Sequence, residues 1–318
     1  MDVALNVTGK CVYSDDELFD HIRSALQRGL PEILKAEPAH HGSVAIVGSG
    51  PSVLNQLGKL REIRAANIPI VAVRDAHDWL IANDIVPDFA LSVDPLPNAA
   101  DCFKTPHPRV HYLIASQSHP KMFDYLAGMN VGLWHCYMRK GQNFPPHRTL
   151  IAGATTSGLR AISVFYVLGC RKFLLFGLDS CLEGNKLRLN GTGAKPTDKI
   201  VGIRVEPGGE LFHCNSAMAL QAQHFQDYYD MMPDAHYEAF GHGLIQAIVD
   251  KRNRDNVAFA EASKNKIVPD GSISFIHGGG PTMASYRYRS AIPAAALGAT
   301  INNLEASTLI FSKVQNHE

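Results

Sequence analysis

No excess of either charge marks this chain: 30 Lys and Arg balance 30 Asp and Glu, so the formal net charge is zero. A neutral chain lacks the electrostatic footprint of a general nucleic-acid binder. Cysteine is sparse, with six residues scattered at positions 11, 102, 136, 170, 181 and 214. There is no C-x-x-C pair for a zinc site and no dense framework for a disulfide-stapled fold, so free, mostly buried thiols in a reducing compartment are expected. Long apolar runs are missing too. The two greasiest stretches, Ala161 to Gly169 and Phe173 to Leu178, are split by Cys170, Arg171 and Lys172, and neither spans a bilayer. The opening Met-Asp-Val-Ala-Leu-Asn lacks the basic region and apolar core of a signal peptide. These absences together predict a cytoplasmic protein with no membrane span.

What is present is a core. Apolar residues make up 46% of the 318 positions and charged residues 19%, the balance of a globular protein built on one large domain or on one domain with an appendage. Ser14-Asp15-Asp16-Glu17 fits a capping box, and Leu18, Ile22, Leu26 and Leu30 follow at helical steps. Short apolar runs read as strands at Ser43 to Val47, Ile70 to Val73, Phe89 to Val93, Val110 to Ala115, Val131 to His135, Lys172 to Phe176 and Tyr237 to Phe240. Helical spacing fills the gaps: Pro51 to Ala66, Ala76 to Asn83, Pro120 to Ala127, Thr156 to Leu168, Asn215 to Tyr229 and Leu244 to Val249. Such alternation predicts an α/β fold, a mostly parallel Rossmann-like sheet with helices on both faces. The division expected is an N-terminal helical segment over 1–42, a nucleotide-binding domain over 43–250, and a linker with a small β-α-β appendage over 251–318.

Ligands of parallel sheets lie beyond the carboxyl ends of the strands, where several suggestive residues fall. Gly48-Ser49-Gly50-Pro51-Ser52 follows a strand and opens a helix. Its glycines allow backbone N–H groups to approach a phosphate, and Pro51 suits the first helical position. An ordinary strand-to-helix turn would look the same. Asp75 and Asp94 also follow β runs; they suit Mg²⁺ held against a polyphosphate, or a ribose, or simple turn and cap duty. Asp179 ends the Lys172 strand. Thr155-Thr156-Ser157-Gly158 begins a helix, where hydroxyls and N–H groups hold a phosphate or serve as an N-cap. His213 follows a polar segment over 180–210 and stands before a helix, in position for a general base; His242 follows another strand. The polar segment is a candidate lid, and its Lys186, Arg188, Lys195 and Lys199 are candidate phosphate clamps or plain surface cations.

Taken in order, the Gly48 to Ser52 turn, the stretch Val71 to Asp94 and the stretch Thr155 to Asp179 resemble the 6-hydroxymethylpterin diphosphokinase-like domain. That domain also occurs in motility accessory factors implicated in glycosylating flagellin with nonulosonic acids. The same blocks are similar to bacterial sialyltransferases that use CMP-activated sugars, which carry a Gly-x-Gly-Pro-Ser turn and a Thr-Ser-Gly helix start. The resemblance covers roughly residues 43 to 250. It implies that Gly48, Gly50, Pro51 and Ser52 surround the nucleotide phosphates, that Thr156, Ser157 and Gly158 contact the nucleotide, and that His213 deprotonates the acceptor hydroxyl. Ser49 stands where the sialyltransferases usually have Asn, and the segment Cys181 to Glu210 contains no tyrosine to steady the leaving phosphate. In the tail, Gly279-Gly280-Pro281, Tyr286-Arg287 and Ile292 to Gly298 look like the opening β-α unit of two-domain glycosyltransferases, as in a fragment of a longer protein or a vestigial unit.

The first functional reading is therefore a transferase moving a sugar from a nucleotide-activated donor, CMP-sugar favoured, to a hydroxyl acceptor without a cofactor. His213 and Asp94 are its candidate catalytic residues; Gly48, Ser49, Gly50, Pro51, Ser52, Asp75, Thr156, Ser157, Gly158 and Asp179 are its candidate nucleotide contacts. The second is a diphosphokinase using ATP and Mg²⁺, with Asp75 and Asp94 on the metal and a pterin-like hydroxymethyl group as acceptor. The third is a non-catalytic nucleotide-binding module.

Overall fold

A computed structural model describes residues 13–137, 148–154, 156–264, 273–276, 299–304 and 308–313. The chain divides into two compact units, one of residues 1–225 with 234–251, the other of residues 226–233 with 252–318.

The first unit opens with α1 (Asp15–Leu26), whose capping box forms as its sequence predicts: Ser14 accepts from the Glu17 N–H, and Glu17 reaches back to the Ser14 N–H. Its Ala25 is fully buried in a cluster with Tyr112, Ile114 and Phe123, so the N-terminal helix is part of this unit's core. Seven of the strands are β1 (Ser43–Val47), β2 (Ile70–Val73), β3 (Phe89–Ser92), β4 (His111–Ala115), β5 (Asn130–Cys136), β7 (Lys172–Phe176) and β10 (His236–Phe240). With a short β6 (Leu150–Ile151) they make one eight-stranded sheet in the order β10-β7-β1-β2-β3-β4-β5-β6. All its neighbours run parallel. Buried on both faces, such strands need no polar alternation, which is why they read as continuous apolar runs. Ala45, Val47, Ile70 and Ala72 face a cluster completed by Leu60, Ile63 and Leu80 of helices α2 (Leu57–Ala65) and α3 (Ala76–Ala82). The alternate residues Val44, Ile46 and Val71 are equally buried, and α5 (Ser157–Val167) packs on β1, β2 and β3.

The helix expected over Pro51 to Ala66 is two elements. A 3-10 turn (Pro51–Asn55) ends at Gln56, whose φ of −109° and ψ of 9° leave helical space, and α2 begins after it. The fully buried Val53 side chain seats that short turn against the core. The polar segment also carries structure the composition hid: β8 (Ile200–Ile203) and β9 (Phe212–Asn215) pair antiparallel as a separate ribbon. After β9 come α6 (Ser216–Met231) and, after β10, α7 (Leu244–Lys264). The helix α4 (Pro120–Tyr125) links β4 to β5.

In the second unit the described residues after α7 form three strands, and the helix expected in this tail lies outside the described residues. β11 (Ile273–Ile276) and β12 (Ala299–Leu304) lie on either side of β13 (Thr308–Lys313), both antiparallel to it. Three residues separate β12 from β13, enough for a hairpin and far too few for a parallel crossover. Gly278 to Gly280, Pro281, Tyr286 to Arg289 and Ile292 to Gly298 lie outside the described residues, as do Cys11 and Thr155. Among the described residues no helix is long and apolar enough to cross a membrane, and the five cysteines described are free and buried.

Strand β7, second from one edge of the sheet, anchors the core through Phe176, which is fully buried and stacks on Phe240 with ring centroids 4.6 Å apart. Phe176→Ala is expected to lower the unfolding free energy by about 3–5 kcal/mol, read from the denaturant midpoint; a loss below about 1 kcal/mol would contradict this packing.

Candidate functional site

Strand order reverses at β1: β2 and β3 follow on one side, β7 and β10 on the other. The loops after β1 and β7 therefore diverge, leaving a crevice at a topological switch point. A cleft of about 280 Å³ lies there. Its wall includes Gly48, Ser49 and Gly50 after β1, Arg74 after β2, Thr156, Ser157 and Gly158 at the start of α5, Asp179 and Ser180 after β7, Arg188, and Asn215 at the end of β9.

The glycine turn serves a different purpose from the one its sequence suggests. The Gly48 N–H donates to the Phe176 carbonyl and the Gly50 N–H to the Gly177 carbonyl, both at 2.8 Å. A Cβ on Gly50 would meet the Asp179 carboxyl at 2.5 Å and the Gly177 oxygen at 2.7 Å. Gly177 itself has φ +59°, and a Cβ there would meet the Gly48 oxygen at 2.6 Å. Glycine is required on both sides because two backbones touch. Next, the Ser52 N–H donates to Asp179 Oδ2 at 2.9 Å and the Ser52 hydroxyl to Oδ1 at 2.5 Å. The carboxylate thus takes the place at the head of the 3-10 turn that was expected for a phosphate. The N–H groups of Gly48, Gly50 and Ser52 are committed within the protein, and Pro51 and Ser52 are buried.

Asp179 is 8% exposed, and burial pushes its pKa from 3.8 up to about 6, with the two Ser52 hydrogen bonds opposing the rise. It is the acidic side chain of the cleft wall.

The start of α5 keeps its donors. Thr156 acts as the N-cap, its hydroxyl accepting from the Leu159 N–H at 3.4 Å. Ser157 and Gly158, in the first turn, have no intrahelical acceptor for their N–H groups. They face the cleft at the positive end of the helix dipole. Arg188 adds a cation from the polar segment. That segment is strapped to the turn: the Leu189 N–H donates to the Ser49 carbonyl at 2.8 Å, and the partly buried Leu189 side chain packs against the core.

The remaining expected site residues fall elsewhere. Asp75 accepts from Arg188 at 3.3 Å and from Asn190 at 3.4 Å. Asp94 is paired with Arg74 and also accepts from the Leu96 N–H at 3.0 Å. Neither lines the cleft. Each carboxylate already has a guanidinium partner, and among the described residues no group of three or more His, Cys, Asp or Glu is placed to share a cation. This donor set does not fit a resident Mg²⁺. His213 is exposed on β9 and does not line the cleft, whereas Asn215, two residues on, does. His242 is exposed and bonded to Glu210 at 2.9 Å, and Lys186, Lys195 and Lys199 are exposed outside the cleft wall.

Sequence reasoning missed Arg74 and Ser180. Both are non-glycine residues with left-handed backbone, φ +55° and +53°, a conformation costing about 1–3 kcal/mol each. Arg74 directly follows β2, a position whose neighbour Asp75 drew attention instead.

The family model described as 6-hydroxymethylpterin diphosphokinase MptE-like matches residues 17–185. Among solved structures, the MAf glycosyltransferase from Magnetospirillum magneticum AMB-1 has a similar fold, with TM-score 0.54 and 18% identity over 71% of this chain and 37% of that one. The present chain thus spans little more than a third of that protein. A mammalian sialyltransferase solved with Gal-beta-1-3GalNAc-ortho-nitrophenol gives TM-score 0.37 and 10% identity over 71% of this chain and 79% of that one. No curated protein matches.

A carboxyl whose pKa is higher folded than unfolded holds its proton more tightly in the fold. It therefore favours folding below about pH 4 and loses that contribution as pH rises to about 6. The stability of the native protein minus that of Asp179→Asn is expected to fall by about 3 kcal/mol across this window. Urea titrations of both proteins at pH 4, 5, 6 and 7 measure it, and a difference independent of pH contradicts the assignment.

Proposed function

The chain belongs to the 6-hydroxymethylpterin diphosphokinase MptE-like family, and from that premise we propose that it is a cytoplasmic transferase whose donor is a nucleotide-activated sugar. The observation that carries this reading is the cleft at the switch point, where the dipole of α5 and the guanidinium groups of Arg74 and Arg188 meet a single acidic side chain. Such a wall suits a bound phosphate and stabilises it further as negative charge develops on departure. The shared fold of the MAf glycosyltransferase favours a sugar as the group moved, and the resemblance of the Gly48 to Ser52 and Thr156 to Gly158 blocks to CMP-sugar enzymes favours CMP as its carrier.

In this reading the acceptor hydroxyl oxygen bonds to the anomeric carbon while the bond from that carbon to the phosphate oxygen breaks. The hydroxyl proton passes to the Asp179 carboxylate. With a pKa of about 6, Asp179 is ionised at neutral pH yet basic enough to accept it, and each oxygen keeps a lone pair beyond its bond to Ser52. This role moves from His213, which the cleft wall does not include, to Asp179. The diphosphokinase reading has the family's description in its favour. It would also require Asp75 and Asp94 to exchange Arg188 and Arg74 for a metal.

A thermal-shift panel of CMP, UDP, GDP and ATP, each with and without Mg²⁺, separates the readings. Stabilisation by CMP without metal is expected. Stabilisation by ATP only with Mg²⁺ would instead favour the kinase, and no response to any nucleotide would leave a scaffold.

Asp179→Asn preserves an acceptor for the Ser52 N–H, and the Ser52 hydroxyl can turn to accept from the new amide. It should retain CMP binding and lose turnover about 100-fold or more, with the acid limb of the native kcat/KM profile near pH 6. His213→Ala should change turnover less than about threefold by the same reasoning. The opposite ranking of the two variants would return the base to His213.

A further inference from the structure

We infer that Arg74 and Ser180, oriented in part by Asp94, form a dedicated oxyanion subsite in the cleft that takes the phosphate of the donor. The inference deepens the nucleotide-donor reading and rests on it for the identity of the ligand, while the subsite itself rests on separate observations.

Ser180 is 4% exposed and lines the cleft, and its hydroxyl has no hydrogen-bond partner. Buried hydroxyls are nearly always satisfied, so an orphan one beside a cleft marks a place for a ligand atom. Arg74 lines the same cleft, and its buried Nε is likewise without a partner. The guanidinium bonds Asp94 through Nη1, which leaves the edge formed by Nε and Nη2 for a second acceptor. That edge presents two parallel N–H groups, the geometry that grips two oxygens of one phosphate. Both residues hold left-handed backbone, which side chains other than glycine rarely adopt. Left-handed backbone and unsatisfied donors also occur singly elsewhere in the chain, but at Arg74 and Ser180 they coincide in one cleft.

The first turn of α5, an eleven-residue helix, brings the N–H groups of Ser157 and Gly158 to the same cleft. A tetrahedral phosphate held there would receive donors from three elements, since Arg74 ends β2, Ser180 follows β7, and Ser157 opens α5. The glycine turn, whose Gly48, Gly50 and Ser52 N–H groups are committed to Phe176, Gly177 and Asp179, serves as a wall. Asp94 acts as a positioning residue, holding the guanidinium through Nη1 beside the cleft.

Isothermal titration of the full chain with pyrophosphate, CMP and cytidine tests this, using Arg74→Gln, Arg74→Lys, Ser180→Ala, Asp94→Asn and the Arg74→Gln/Asp94→Asn pair. Arg74→Gln should weaken pyrophosphate and CMP by about 10- to 100-fold and Ser180→Ala by about 3- to 10-fold, with cytidine binding unchanged. Arg74→Lys should recover only part of the loss, because an ammonium cannot offer two parallel donors. The Asp94→Asn loss should vanish once Arg74 is already Gln, which a merely structural role would not produce. If native protein binds both phosphate ligands and the Arg74 and Ser180 variants bind them equally well, the subsite is overturned while the donor reading stands. Binding of pyrophosphate but no nucleotide, with loss in both variants, upholds the subsite and sinks the donor reading. If native protein binds neither, both fall. Circular dichroism checks each variant's fold, and Ser180→Ala, which removes one hydroxyl, decides the matter if Arg74→Gln does not fold.

Discussion

The contact on which the site depends is the meeting of two backbones, Gly48 to Gly50 after β1 and Gly177 after β7, closed by the Asp179 carboxylate on Ser52. Neighbouring parallel strands lie about 4.8 Å apart, and here the pairing persists past their ends into the loops. The approach leaves no room for a Cβ on either side. It also places a carboxyl in a nearly dry pocket, where the charged form is disfavoured and proton affinity rises. One packing constraint thus sets both the shape of the switch point and the ionisation of its acidic group.

That constraint redistributes the work of binding an anion. A glycine-rich turn between strand and helix ordinarily offers its N–H groups to a phosphate. Here those of Gly48, Gly50 and Ser52 are taken within the protein, so most of the positive charge must come from elsewhere. It comes from α5, whose first turn is capped by Thr156 yet keeps donors at the cleft, and from Arg74 and Arg188. The two aspartates that looked like metal ligands instead hold these arginines in place. An arginine held by one carboxylate is pre-organised and loses less freedom on meeting a second anion.

The polar segment after β7 is likewise more ordered than its composition implies. Leu189 is drawn into the core and its N–H is bonded to Ser49, so Arg188 sits at the cleft on an anchored strap. The β8–β9 ribbon then brings Asn215 to the wall, while His213, two residues earlier, is exposed and outside it. The sequence points His213 to the pocket because it follows the polar segment and stands before a helix; it shares a face of β9 with Asn215, but only Asn215, at the end of the strand, reaches the cleft wall.

Hydrophobic patterning by itself determined the parallel sheet, since runs such as Ser43–Val47 and Lys172–Phe176 are dictated by burial on two faces and need no distant partner to be recognised. The Ser14–Glu17 capping box and the Thr156 cap were legible for the same reason, each bond lying within three residues. Only the tertiary structure decided where the donors and charges of the site point. The acceptor of the Ser52 N–H lies 127 residues away, and Arg74 and Arg188 find their carboxylates 20 and 113 residues away. Local sequence sets which groups can bond, but strand order sets which of them meet, and a turn whose N–H groups are free has the same sequence as one whose N–H groups are taken.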